Sequence, residues 1–337
     1  MQRNRLFDSI VFGQYLAMTE REALAFSDPM QRPRFTGLAT FFRAPYVEDF
    51  EANPPEIGVC GVPYDGGVTN RPGPRHGPRE VRNQSSMIRR INQATGLSPF
   101  ERTRVADIGD AWIEKPYELE GAHREIEAFF SRAHAAGIRP LACGGDHSIS
   151  LPILRAIAKD RLADQKLGMI HIDAHCDTGD NYGGSRFHHG APFKVAVDEG
   201  LLDPTKVVQI GIRGSLYMQD MWKFSYDTGM RVMQIEEVED RGWRACIDEA
   251  REIVGDMPIY VSFDIDSLDP AYAPGTGTPE AGGLTMREAQ GMCRRLEGLN
   301  IVAADMVEVS PPFDVGGVTA LNGANIMYEL LCVMAGR

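Results

Sequence analysis

The chain has 337 residues and a formal net charge of −12, with 43% hydrophobic and 24% charged residues. That apolar share excludes a disordered chain, and at this length roughly 75% of the unfolded surface can be buried, so folding needs no disulfide or metal staple. The acidity excludes a nucleic-acid partner, because phosphate backbones select a basic face. Length allows one large α/β domain or two medium ones.

No segment approaches the ~18 consecutive apolar residues of a membrane span. The first twenty residues have their apolar positions broken by Asp8, Gly13 and Gln14 and so lack a signal-peptide core. The six cysteines (Cys60, Cys143, Cys176, Cys246, Cys293, Cys332) form no CxxC pair. Buried free thiols in a reduced, cytoplasmic protein without membrane attachment are expected.

In chain order, residues 1–50 read as an N-terminal arm, polar and broken by prolines, with one short helix near 20–26. Its expected role is packing on the domain or on a neighbouring subunit. Residues 51–337 read as a single domain. Short runs rich in Val and Ile, bounded by Gly, Pro or Asp, predict strands at 56–63, 105–110, 139–145, 166–175, 206–214, 231–235, 258–266 and 301–310. Amphipathic patterns predict helices at 118–137, 149–160, 243–255 and 285–298; the first puts Ile126, Phe129, Phe130 and His134 on one side. Strands alternating with helices imply βαβ crossovers and a three-layer α/β/α domain around an eight-stranded, mainly parallel sheet. Ligands in such sheets bind beyond the carboxyl ends of the strands.

Three predicted strands run into polar clusters there: Gly144–Ser148 (GGDHS), Asp173–Asp177 (DAHCD) and Asp264 with Asp266 (SFDID). If the strand continues extended, Asp173, His175 and Asp177 share one face, as do Asp264 and Asp266, while Cys176 turns into the core. One Asp at a strand end is more often a helix cap or turn former, and one His more often a satisfied polar residue. Four carboxylates crowded at one sheet edge, however, repel one another unless cations lie among them, and two dications balance four Asp charges. Oxygen-rich sites with one or two imidazoles and no thiolate suit Mn²⁺, with Ni²⁺, Co²⁺ or Fe²⁺ as alternatives.

GGDHS, DAHCD and SFDIDSLDPAYAPGTGTPE resemble the three signature blocks of the ureohydrolase (arginase/agmatinase) family, over essentially all of residues 50–337. The likeness is greatest to the agmatinase and guanidinobutyrase branch, with support from TNRPGPRHGPR (69–79), VVQIGIRGS (207–215) and MVEVSPPFD (306–314). The resemblance implies an arginase-like fold and a binuclear metal hydrolase that cleaves a guanidino group to urea and an amine. It implies ligands His147, Asp173, His175, Asp177, Asp264 and Asp266. His147 and Asp177 would serve one ion and His175 the other, with Asp173 and Asp264 bridging or chelating. Mn²⁺ is the expected metal and Ni²⁺ the alternative. Glu308 matches the residue that grips the substrate guanidinium. His189 matches the proton-relaying histidine, with His188 the adjacent alternative, and Asp177 would orient the attacking hydroxide. Asp146 would support His147 or the backbone, and the loop 274–283 would wrap the site.

Where arginases carry an Asn that holds the α-carboxylate, this chain has Gly179, which disfavours arginine. Asp180 would attract the distal amine of agmatine, whereas Arg186 and Arg213 would meet the carboxylate of a guanidino acid. A nickel-dependent hydrolase of guanidine, alkylguanidines or a biguanide such as metformin is the alternative, with Tyr182 closing over a compact substrate and a hetero-oligomer possible. Other readings are a metal-bearing silent subunit and a single-zinc hydrolase of the deacetylase type. The resemblance implies a homo-trimer or homo-hexamer.

Overall fold

A computed structural model describes residues 33–161 and 166–336; the helix expected near 20–26 lies outside them. The eight strands are β1 Ile57–Val62, β2 Val105–Asp110, β3 Arg139–Gly144, β4 Leu167–Ile172, β5 Leu202–Ile212, β6 Arg231–Gln234, β7 Ile259–Asp264 and β8 Ile301–Val307. They form one sheet in the order β2-β1-β3-β8-β7-β4-β5-β6. Every pair in it is parallel. Every residue of β1, β4 and β7 is buried, as strands covered on both faces require.

Alternation along each strand divides the core. Tyr260, Ala303 and Val307 face the layer of helices Leu119–Ala135, Ser150–Arg161 and Pro192–Asp198, meeting Ile126, Phe130, Ile157 and Phe193. Val261, Phe263, Ala304 and Met306 face the opposite layer of Gly77–Ser85, Trp243–Val254, Met286–Arg294 and Val318–Ala335, through Ile247, Met292 and Leu330. The predicted stripe of the first helix is buried at all four positions, Ile126, Phe129, Phe130 and His134. Met286–Arg294 starts where Thr285 and Glu288 form a reciprocal capping box. Val318–Ala335 is long and apolar enough to cross a membrane, but 78% of it is buried inside the domain.

Within the segment read as an arm, Phe41, Phe42, Val47 and Phe50 are buried in the domain's own core. The Phe41 amide donates to Asp107 Oδ2 at 2.9 Å, and the Val47 amide donates to the Asp107 carbonyl. Residues 41–50 thus pack beside the sheet edge at β2.

Two strands stop three residues short of expectation. β4 ends at Ile172 and β8 at Val307, so the residues that follow are set by turns rather than by strand alternation.

Candidate metal centre

Strand order brings the motifs together. β3, β8, β7 and β4 are consecutive neighbours, and GGDHS, Glu308, Asp264/Asp266 and DAHCD lie at the carboxyl ends of those four strands respectively. The polar clusters, far apart in sequence, share one rim beyond the carboxyl ends, as open α/β sheets favour.

Each cluster is pinned by its own backbone bonds. After β3, Asp146 caps a short 3₁₀ turn: Oδ1 accepts from the Ser148 amide at 2.9 Å, and Oδ2 accepts from the Gly67 amide at 2.7 Å. After β4 the chain bends, the His175 amide donates to Asp173 Oδ1 at 2.6 Å, and Asp177 takes φ +50°. That left-handed conformation is uncommon for a non-glycine residue and marks a position held by its surroundings. After β7, Asp264 Oδ1 accepts from the Asp266 amide at 2.8 Å.

The result is a cage. His147 Nδ1 lies 2.9 Å from Asp177 Oδ2, 3.1 Å from Asp264 Oδ2 and 3.2 Å from Asp173 Oδ2. Next to it, His175 Nδ1 lies 3.2 Å from Asp266 Oδ2 and 3.5 Å from Asp173 Oδ1. Asp173 therefore turns one oxygen to each histidine. Despite three oxygens within reach, His147 Nδ1 is buried and makes no hydrogen bond to any of them. An octahedral ion with bonds near ~2.1 Å holds adjacent ligand atoms about 3.0 Å apart. The spacing around His147 is that of ligand edges, and the donor set of imidazoles and carboxylates fits a divalent ion of the Mn²⁺ class.

Tautomer and charge agree with this. His147 Nε2 is 2.8 Å from Ser262 Oγ, which leaves Nδ1 for the cage. Burial, with the charges of Asp266 and Asp173 beside it, pushes the Asp264 carboxyl well above the usual carboxylate range, a cost that cations in the cage would remove. His171 also lies within ligand reach of His147 and Asp173, but both its nitrogens are engaged. Its Nδ1 faces the Gln209 amide at 3.1 Å and its Nε2 faces Asp173 Oδ2 at 2.7 Å. It orients Asp173.

Beside the cage, Glu308 adopts φ +66° and is 1% exposed. Its Oε1 accepts from the His147 amide at 2.8 Å and lies 2.8 Å from His189 Nδ1. Its Oε2 is buried without a partner, and a Cβ at Gly277 would come within 3.6 Å of it. A buried carboxylate oxygen left open in this way is a site for a cationic N–H donor. Burial disfavours a charged His189, but Glu308 outweighs it and raises the imidazole to about 9. Burial and the Glu308 charge raise Asp146 to about 7. His189 Nε2 accepts from the Thr69 amide at 3.1 Å and lies 2.8 Å from the Thr69 hydroxyl.

Other expected residues lie elsewhere. Arg213 is buried and donates to backbone carbonyls of Gly211, Asp266, Ser267, Leu268 and Glu280. It ties the loop after β5 to the loop after β7 and has no guanidinium edge left for a substrate carboxylate. Arg186 pairs with Asp198 at 2.8 Å near the surface. Asp180 is exposed, and its Oδ1 accepts from the Asn181 amide. His188 Nε2 contacts the Asp180 carbonyl, outside the Glu308 cluster. Cys176 packs with Ile212 and Val232, away from the cage. In the loop 274–283, Thr278 Oγ1 donates to Asp266 Oδ2 at 3.2 Å.

Residues 55–333 match the Arginase family. The chain belongs to the arginase family. It is 52% identical to guanidinopropionase of Pseudomonas aeruginosa over 91% of this chain and 95% of that protein. It is 48% identical to guanidinobutyrase of the same organism, over 91% and 95% respectively. The crystallised proclavaminate amidinohydrolase of Streptomyces clavuligerus superposes with a TM-score of 0.85 at 38% identity, covering 90% of this chain and 99% of its own. The eight-stranded, all-parallel sheet flanked by helices is the architecture expected, and the structural neighbours are arginase-fold hydrolases.

Thr69, His171 and Ser262 were not singled out from sequence. Ser262 had a signal, since it alternates with Asp264 and Asp266. Thr69 had none beyond its place in TNRPG, because its contact with His189 spans 120 residues.

Proposed function

We propose that this arginase-family hydrolase holds two divalent ions and cleaves an ω-guanidino acid to urea and an amino acid. The observation that carries the reading is the bare Glu308 Oε2 beside a cage of four carboxylates and two imidazoles. His147, Asp173, Asp177 and Asp264 would hold one ion; Asp173, Asp264, His175 and Asp266 would hold the other. Mn²⁺ suits this donor set and Ni²⁺ is the alternative. A bound pair of dications supplies Lewis acidity and makes hydroxide available near neutral pH.

The protein's own groups do the rest. Glu308 binds the guanidinium through Oε2 and fixes the angle at which its carbon is presented. Asp177, on its strained turn at the cage rim, orients the attacking oxygen. The bond from carbon to the chain nitrogen breaks, water oxygen stays on the carbon as urea, and the leaving nitrogen gains protons. His189, bonded to the same Glu308 through Nδ1, is the donor placed to deliver the first.

A tailed guanidino acid is favoured because relatives at 52% and 48% identity are named for such substrates. Asp180, whose Oδ1 already accepts a backbone bond, is a weak candidate for holding the distal amine of agmatine. Free guanidine, alkylguanidines and biguanides are not favoured by these relatives. The test is urea release from 3-guanidinopropionate, 4-guanidinobutyrate, agmatine, arginine and guanidine, each with Mn²⁺ and with Ni²⁺. Urea from none of them would overturn the reading, and faster release from agmatine than from either acid would overturn the substrate class.

A further inference from the structure

Asp305 sits in the middle of β8, within an otherwise apolar run, and is fully buried. An apolar residue there would pack the sheet as well or better, since a buried carboxylate costs stability unless its partners are excellent. The partners are three hydroxyls. Tyr260 Oη and Ser150 Oγ donate to Oδ2, and Ser262 Oγ donates to Oδ1 at 2.7 Å. All three donors are themselves fully buried. Ser262 and Asp305 are direct neighbours in register between β7 and β8.

A carboxylate only accepts hydrogen bonds, so the Ser262 proton points at Asp305. What remains on Ser262 Oγ is its lone pairs, and these face His147 Nε2 at 2.8 Å. The imidazole must then carry its proton on Nε2, and Nδ1, the atom enclosed by Asp173, Asp177 and Asp264, is bare. The bond direction thus runs from the ring through Ser262 to Asp305. We propose that Asp305, acting through Ser262, is a positioning residue that fixes the metal-binding tautomer of His147. The proposal rests on the metal-centre reading above.

The opposite arrangement shows why the charge matters. With Asn at 305, the side-chain amide can donate to Ser262, whose proton is then free to turn toward His147 Nε2. The ring proton would move to Nδ1, which can no longer bind an ion. His175 is served differently: its Nε2 lies 3.9 Å from the half-buried Glu280, too far for a hydrogen bond. Loss of the Asp305 relay should therefore affect one of two ion sites.

The experiment measures metal stoichiometry and affinity by calorimetric titration of Mn²⁺ into chelator-stripped, full-length protein, wild type against D305N, S262A and S262T. Electron paramagnetic resonance of the loaded proteins separates a coupled ion pair from a lone ion, and circular dichroism checks folding. Two equivalents are expected for wild type and S262T. In D305N and S262A one equivalent should weaken by about 10–100-fold, the range for lost groups that orient a ligating histidine, while the other holds. S262A removes one hydroxyl and keeps the question answerable if D305N misfolds. Folded S262A with two wild-type affinities would overturn the tautomer relay while leaving the metal centre intact. Wild type that binds fewer than two ions would overturn both.

Discussion

Replacing Glu308 by Gln separates gripping the guanidinium from building the cage. Glu308 touches no cage carboxylate; its Oε1 accepts from the His147 amide and meets His189, while Oε2 is open. A glutamine can keep its carbonyl on the His147 amide. Its NH₂ then takes the place of Oε2 and presents a donor to the donors of the guanidinium. The substrate's charge is left buried without its partner, which costs roughly 3–5 kcal/mol. At ~1.4 kcal/mol per decade, kcat/KM should fall by between about 10² and 10⁴. The assay is urea release against substrate concentration, with metal content measured on the same samples. E308Q should keep both ions. Activity within tenfold of wild type would refute the role given to Oε2, and loss of metal would show that Glu308 belongs to the cage.

D264N removes a charge shared by both ions, so metal content and urea release should fall together by at least tenfold; unchanged turnover would refute the two-ion assignment. Glu308 raises His189 to about 9, so the imidazolium survives through neutral pH and is lost as pH rises past that value. The rate should show an alkaline limb there in wild type. That limb should shift in T69V, which removes the hydroxyl at Nε2, and return in T69S; identical profiles for all three would exclude Thr69. All six cysteines are buried and unpaired, and burial raises thiols such as Cys60 and Cys143. A thiol reagent should react with the native protein at least tenfold more slowly than with the denatured one.

Much of the fold was legible because a parallel sheet covered on both faces leaves a strong mark: short apolar runs with punctuated ends. All eight strands were found, with edges off by up to four residues at β5, which begins at Leu202, paired with Leu167, despite little apolar signal in residues 202–206. The cage residues were legible by type, but the reason given for their convergence was incomplete. Alternation past Ile172 does not bring Asp173, His175 and Asp177 together. A turn with Asp177 at φ +50° does, and turn geometry after a strand is fixed by tertiary contacts such as Gln209 on the Cys176 carbonyl. The expected pairing of Arg213 with a substrate carboxylate failed for a related reason. Nothing local in VVQIGIRGS announces that its guanidinium will be consumed by carbonyls 53 to 67 residues away. Asp305 was not singled out from sequence either, although a lone carboxylate in an apolar strand is the signal it carried.

The charges around the site divide into two groups with different consequences. Asp173, Asp177, Asp264 and Asp266 offer four negative charges, which two dications balance. Glu308 is left over; burial and its charge together raise Asp146 to about 7, and its partner is the positive guanidinium. In the metal-free cage, burial and the neighbouring carboxylates push Asp264 toward its neutral form, so the site is full of unfavourable charge that metal would relieve. Filling it should stabilise the protein without any substrate. Each ion at about 100 times its dissociation constant contributes roughly 2.7 kcal/mol, so two contribute about 5 kcal/mol. For a chain larger than ~250 residues, where 1 kcal/mol moves Tm by about 2 °C or less, the midpoint should rise by up to about 10 °C. Thermal unfolding of chelator-stripped protein with and without Mn²⁺ measures this, and adding a guanidino acid to the stripped protein should do far less. A melting temperature indifferent to both chelator and metal would mean that the four carboxylates are neutralised by protons, and the division of charge proposed here would fall with it.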